Sequence, residues 1–377
     1  MKKYYLLTPG PTPIPPQVAL KEALPILHHR TSEFGQIYKD TAEGLKYIFQ
    51  TKNEVYTLAA SGTGAMETAI VNLLSPGDEI IVASCGNFGD RWAKIAQGYG
   101  VKVISASVEW GKVVKPAEIE KALKENPNVK AVFTTFTETS TGVVNDIKTI
   151  GEIVSKTNAV LAVDTISGLA GQEYRADDWK VDVTVSGSQK GFMLAPGLAF
   201  ISLSDKAWKL NENSKIPKFY FDIKKYKKSY LTNETPFTPP VTLIVSLQES
   251  IKMIKEKGIE NVWNECKILA KASRAGMKAL GLELFGEVPC EVVTSAKVPE
   301  EIGGKIVKTL REKYGVSIAG GQGDLKGKII RFAHMGYIGK ADILVGFACL
   351  EMVLEELGVK IEKGKAVAAA QDALMKG

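Results

Sequence analysis

Apolar residues between Thr57 and Ser204 come in short β-branched runs, at 79–83, 101–106, 131–136, 159–163, 181–185 and 198–203. Stretches with helical spacing stand between several of them, at 64–74, 90–98, 116–125 and 147–156. Strand and helix in alternation predict an α/β fold, a mostly parallel sheet with helices on both faces. Past residue 240 the pattern changes. A long helical tract at 241–257 follows Pro239-Pro240, and a second runs from 259 to about 280. Shorter strands at 291–294 and 328–332 then alternate with helices at 301–314 and 342–357. This predicts a smaller α+β domain. The expected division is an extended arm at 1–16, a large α/β domain at 17–250 and a small C-terminal domain at 251–377. The arm is expected to lie extended over a surface, because the prolines from Pro9 to Pro16 remove donors and fix φ.

Composition narrows the class. The 377 residues are 45% hydrophobic and 24% charged, as in soluble globular proteins, and the length suits two domains. The net charge of +6 is spread thinly. Runs such as Lys224-Lys225 and Lys227-Lys228 are too short for a nucleic-acid track. No apolar window approaches a membrane span, and Pro9-Gly10-Pro11 follows Met1-Lys2-Lys3 too soon for a signal-peptide core. The four cysteines are far apart and there are three histidines, so no metal site is expected. Reduced thiols suit a cytoplasmic protein.

In an open α/β sheet the ligand sits beyond the carboxyl ends of the strands. Three positions stand there. Ser61-Gly62-Thr63-Gly64 precedes a helix and is either a phosphate cup or an ordinary helix cap. Asp164 ends an apolar strand, where a carboxylate must meet a cation or a strong donor, or cap the next turn. Lys190 stands in Ser186-Gly187-Ser188-Gln189-Lys190-Gly191, after another strand; it is either a solvated charge or an amine lowered enough to form a Schiff base. Together they offer a lysine for an imine, an acid for a pyridinium nitrogen and an anion cup, which are the needs of pyridoxal phosphate (PLP). The glycine fingerprint required for NAD is missing.

Further blocks extend the pattern: Glu138-Thr139-Ser140-Thr141-Gly142, Val163-Asp164-Thr165-Ile166-Ser167, Thr238-Pro239-Pro240 and Arg331-Phe332-Ala333-His334-Met335-Gly336. With these, the chain resembles, over nearly its whole length, the class V, fold-type I PLP aminotransferases of the alanine–glyoxylate / serine–pyruvate group. The resemblance implies that Lys190 carries the cofactor as an aldimine and that Asp164 pairs with the pyridine nitrogen. Ser61, Gly62, Thr63 and Gln189 would hold the phosphate. Phe88 and Ile166 would cover the two faces of the ring, and Thr139 would bond its hydroxyl. Arg331 would clamp the substrate carboxylate, with Gly10 beside the substrate. Thr238 would reach the phosphate of a neighbouring subunit, which implies a homodimer. Two departures stand out: Thr63 and Thr235 occupy positions where some relatives carry His and Tyr. Losing the Tyr hydroxyl removes a phosphate contact with no replacement evident from the sequence. Arg30, in His29-Arg30, is either a second substrate contact or a surface arginine.

The implied reaction is ping-pong transamination between alanine or serine and glyoxylate or pyruvate. Aspartate and 2-aminoethylphosphonate are alternative donors. A cysteine desulfurase would need a mobile cysteine opposite the lysine, and none of Cys85, Cys266, Cys290 and Cys349 lies in a matching motif. A non-catalytic binding subunit of this fold would be expected to have lost Lys190 or Asp164, and both are present.

Overall fold

The protein is described from a computed structural model covering residues 3–376. Seven strands form the main sheet: β1 (Val55–Ala59), β2 (Glu79–Ala83), β3 (Lys102–Ser105), β4 (Ala131–Thr135), β5 (Val160–Asp164), β6 (Val183–Gly187) and β7 (Leu198–Leu203). Their order is β1-β7-β6-β5-β4-β2-β3. The pairings among β3, β2, β4, β5 and β6 are parallel, and β7 runs antiparallel to both β6 and β1. This is the mostly parallel sheet expected from the alternating pattern.

Side-chain alternation splits the sheet into two buried faces. Ile81, Ala83, Val132, Leu161, Val163 and Phe200 face one core, which also takes in helices α1 (Ser32–Phe49) and α4 (Val241–Lys257). Ile80, Val82, Phe133, Ala162, Val185 and Ile201 face the other, with α2 (Gly62–Leu73) and α3 (Asn87–Gly98). A third core surrounds strands β8 (Val293–Lys297), β9 (Ala319–Gly320) and β10 (Ile329–Ala333), ordered β8-β10-β9. Helix α5 (Ile259–Ala279) is shared: Ile259 and Trp263 pack in the first core, Cys266 and Leu269 in the third.

Several boundaries differ from expectation. The strand expected at 181–185 starts at Val183, because Val181 bonds back to the Ala176 carbonyl and belongs to the preceding turn. Lys190 therefore follows the strand end by three residues. The helix expected to start near 64 begins at Gly62, with Ser61 as N-cap. The stretch expected as one helix at 301–314 is an α-helix, Glu300–Thr309, ending in a π-helical turn, Leu310–Tyr314. The N-terminal arm is anchored rather than merely extended. Tyr5–Leu6 pairs in parallel with Val316–Ser317. Leu7 donates to the Ser317 carbonyl (2.8 Å) and accepts from the Ala333 N–H (2.9 Å). Met1 and Lys2 lie outside the described residues. Among the described residues no helix is long and apolar enough to cross a membrane.

Candidate active site

The carboxyl ends of β1, β4, β5 and β6 carry the candidate groups. After β1, Ser61 is the N-cap of α2 but makes no side-chain cap bond, so its hydroxyl is free. The first N–H groups of a helix have no partner within it. The Ser61 hydroxyl and the N–H groups of Gly62 and Thr63 therefore form a set of donors at the positive end of a helix. A side chain at position 62 would collide with Ile166; an added Cβ would lie 2.8 Å from Ile166 Cγ1. Glycine thus lets β5 and α2 close around one space. Gln189 reaches this region, and its Oε1 is buried with no donor.

Asp164 ends β5 and is 3% exposed. Its Oδ1 accepts from the Ile166 N–H at 2.8 Å, and no donor of the described chain reaches Oδ2. Burial pushes this carboxyl up to about 7, against the Ile166 N–H and the charges of Lys190 and Arg91. Lys190, 8% exposed, is pushed the other way. Burial lowers its amine to about 8, with the Asp164 charge opposing and Arg331 assisting. At neutral pH such a lysine yields far more free amine than a solvated one.

The arm closes over this lysine. Lys190 Nζ donates to the Pro9 carbonyl and to Ser167 Oγ (3.3 Å). Thr12 bonds the loop twice, from its hydroxyl to the Lys190 carbonyl (2.8 Å) and from its N–H to the Gln189 carbonyl (3.1 Å). Gly10 has φ +125°, and a Cβ there would lie 2.7 Å from Lys190 Nζ. Only glycine fits that backbone and that space.

A chain of contacts leads from Lys190 to Arg331. Ser167 Oγ shares a hydrogen bond with Thr139 Oγ1. The Thr139 carbonyl accepts from Arg331 Nη1 (2.7 Å), and the Gly320 carbonyl accepts from Arg331 Nε (2.9 Å). Arg331 is 4% exposed, and burial lowers its guanidinium to about 10. Its Nη2 has no partner in the described chain, so a buried fork is left able to bind an anion.

Glu138, Ser167 and Arg91 also belong to this network, although no role was expected of them. The buried Glu138 carboxylate takes N–H donors from Phe88 (3.1 Å), Gly89 (2.9 Å) and Ser140 (3.1 Å). This fixes the turn that bears Phe88 against the turn that bears Thr139. A carboxylate amid hydroxyls in a buried stretch was the available signal, since such a group needs donors. Arg91 lies one turn after Phe88 on α3, and that i, i+3 spacing was its signal.

Two expected site residues stand apart in the single chain. Arg30 donates to Glu234 (3.0 Å) and to the Thr235 carbonyl (2.9 Å), not to the Lys190 network. Thr238 is exposed and makes no hydrogen bond in the described chain. The Thr235 hydroxyl is used on the Phe237 carbonyl (2.8 Å). Cys85 and Cys290 are fully buried, and burial raises their thiols to about 12 and about 11, so neither is a ready nucleophile. Among the described residues no group of three or more His, Cys, Asp or Glu is arranged to hold a metal.

Comparison with known proteins identifies the family. The Aminotransferase class-V family model matches residues 4–327. The chain is 41% identical to a protein named soluble hydrogenase, small subunit, from Synechococcus, covering 99% of this chain and 98% of that one. It is 37% identical to the L-aspartate–glyoxylate aminotransferase of Paracoccus denitrificans, covering 97% and 95%. The crystal structure of ureidoglycine-glyoxylate aminotransferase from Bacillus subtilis superposes with a TM-score of 0.94 at 31% identity, over 100% of this chain and 99% of that one. The chain belongs to the class-V aminotransferase family and is a PLP-dependent transaminase.

Proposed function

We propose that the protein moves the amino group of alanine or serine to glyoxylate or pyruvate, in two half-reactions, as a cytoplasmic homodimer. The observation that carries this reading is the single network joining Lys190, Ser167, Thr139 and the free fork of Arg331. Pyridoxal phosphate suits the residues present. The buried, partnerless Gln189 amide and the free donors at Ser61, Gly62 and Thr63 call for an anion. Turning the amide about its bond directs Nε2 to that anion.

When bound, pyridoxal phosphate supplies an electron sink for the charge left as the substrate α-proton departs. The rest falls to the chain. Ser61, Gly62, Thr63 and Gln189 donate to the phosphate. Asp164 would hold the pyridine nitrogen through Oδ2, and a cation there would favour the ionised carboxylate despite its burial. Phe88 and Ile166 would cover the two ring faces, and the Thr139 hydroxyl would hold the ring hydroxyl. Arg331 grips the substrate carboxylate with two N–H groups, which orients the α-carbon. Gly10 keeps the space beside the lysine open for the substrate. Lys190 Nζ, lowered toward neutrality by burial, would take the substrate α-proton and hold it for return. Thr238 of the partner subunit completes the phosphate site.

Aspartate is the second reading, favoured by the similarity to the Paracoccus enzyme. It and 2-aminoethylphosphonate carry a second anionic group and need a further cation. Arg30 would serve as that substrate contact after leaving Glu234. Half-reactions followed spectroscopically, with one amino acid at a time, decide the donor. Alanine or serine should bleach a band at about 410–430 nm, typical of this cofactor on a lysine. Bleaching by aspartate alone would overturn the small-donor reading. Lys190→Ala should keep less than about a thousandth of the turnover.

A further inference from the structure

The guanidinium of Arg91 stands behind the donor set at the start of α2. Its Nη1 donates to Thr63 Oγ1 at 2.8 Å, and its Cζ lies 4.7 Å over the ring of Phe88. Among the described residues it has no carboxylate partner. The adjacent Asp90 is taken by Ser84 Oγ (2.6 Å) and by Trp110 Nε1 (3.3 Å). A half-buried arginine without an ion pair is unusual, since guanidinium normally finds a carboxylate or phosphate. Its charge is also felt at the lysine and aspartate, lowering the pKa of both.

Hydroxyl chemistry gives the contact a direction. A threonine hydroxyl has one proton and two lone pairs, and a guanidinium can only donate. With one lone pair of Thr63 held by Arg91, its proton is free to point away from the arginine. Ser61 and the first N–H groups of α2 gather on the same helix end.

We propose that Arg91 is a positioning residue for the cofactor phosphate, acting through Thr63: it turns the Thr63 hydroxyl into a committed donor and places a positive charge behind it. The inference rests on the reading of Ser61, Gly62 and Thr63 as the phosphate cup. It supplies a cation where the chain has threonine at positions 63 and 235, and where the Thr235 hydroxyl is already used on Phe237. Stacking on Phe88 keeps the guanidinium plane in place, so the charge arrives with little loss of side-chain freedom.

The test compares two ligands that differ only in the phosphate. Dissociation constants for pyridoxal phosphate and for pyridoxal are measured by absorbance titration of the full-length apoenzyme. The proteins are the parent, Arg91→Met, Thr63→Val and the double variant. Each single variant should weaken pyridoxal phosphate binding about tenfold or more, as expected for a lost charge-assisted contact. Each should leave pyridoxal within about twofold, and the double variant should be little worse than the weaker single one. Loss for Thr63→Val alone overturns the role of Arg91 and leaves the cup standing. No loss for either variant overturns the cup as well. Equal weakening of both ligands by Arg91→Met assigns the arginine to holding Phe88 and overturns the phosphate role. Additive losses overturn the relay through Thr63. Should Arg91→Met fail to fold, Arg91→Gln keeps the volume and removes the charge for the same comparison.

Discussion

Glu138 caps a helix to which it does not belong: its Oε2 accepts the N–H of Gly89 at 2.9 Å, across 49 residues of sequence. The local N-cap of α3 is Gly86, which has no side chain to offer. A Cβ there would lie 2.5 Å from both Glu138 Cδ and Ser140 Oγ. Ser140 Oγ accepts from Asn87 (3.0 Å), so the first three N–H groups of α3 are all satisfied from the turn that bears Thr139. A carboxylate at a helix N-terminus is also favoured by the helix dipole.

Glu138→Ala should therefore act on both fold and site. Leaving buried donors unpaired costs about 2 kcal/mol or more in a urea melt. Cofactor affinity should fall as well, because Phe88 and Thr139 lose their common anchor. Asp146→Ala is the control. Asp146 caps a different helix through Thr149 (3.0 Å), and its loss should cost about 1 kcal/mol without changing affinity. Equal behaviour of the two variants in the binding assay would reduce Glu138 to a stability role.

Gly10→Ala should disturb Lys190 directly. The backbone sits at φ +125° and the new methyl would meet the lysine stem. A fall in turnover of about tenfold or more is expected, since the arm or the amine must move. Unchanged turnover together with an unchanged absorbance band would show that the arm yields freely.

Arg331 binds the Gly320 and Thr139 carbonyls and still has Nη2 free, whereas the single nitrogen of Arg331→Lys cannot do both. The KM for amino acid and 2-oxo acid should rise together, because both present the same carboxylate. A KM unchanged for either would take the carboxylate role away from this residue.

Lys190 and Asp164 should give the cofactor-free protein opposite pH limbs. Folded Asp164 keeps a proton up to about 7 that the unfolded chain releases near 3.8, so its contribution to stability falls as pH rises between them. Folded Lys190 loses its proton near 8, whereas the unfolded chain keeps one to 10.5, so its contribution rises with pH across that window. Melting of the apoenzyme checks this. The advantage of Asp164→Asn over the parent should grow from pH 4 to 7. That of Lys190→Met should shrink above pH 8. A difference flat with pH would remove the corresponding shift.

Local signals were legible wherever the physics is local. The β-branched runs placed Glu79–Ala83 and Leu198–Leu203 to the residue, because strands buried on both faces are continuously apolar. Helix Val241–Lys257 was equally plain, preceded by two prolines and closed by Gly258. Strand order was not legible. Antiparallel β7 between β1 and β6 depends on long-range pairing that no local pattern encodes. Lys190 and Asp164 could be picked out as costly charges at apolar strand ends. Arg91 and Glu138 offered only weak signals, a helical spacing and a carboxylate in a buried stretch, because what distinguishes them is partners 28 and 49 residues away. A partner at that distance leaves no periodic trace.

Leu7 joins the two extremes of the chain, bonding Ser317 on one side and Ala333 on the other, two residues before Pro9 meets the Lys190 amine. The docking surface of this stretch is therefore built from residues more than three hundred positions further along the chain. A chain cut before Val316 keeps every strand of the main sheet and loses the strand that anchors the arm over its amine. The cover over the reactive nitrogen is in this sense fastened from the far part of the chain.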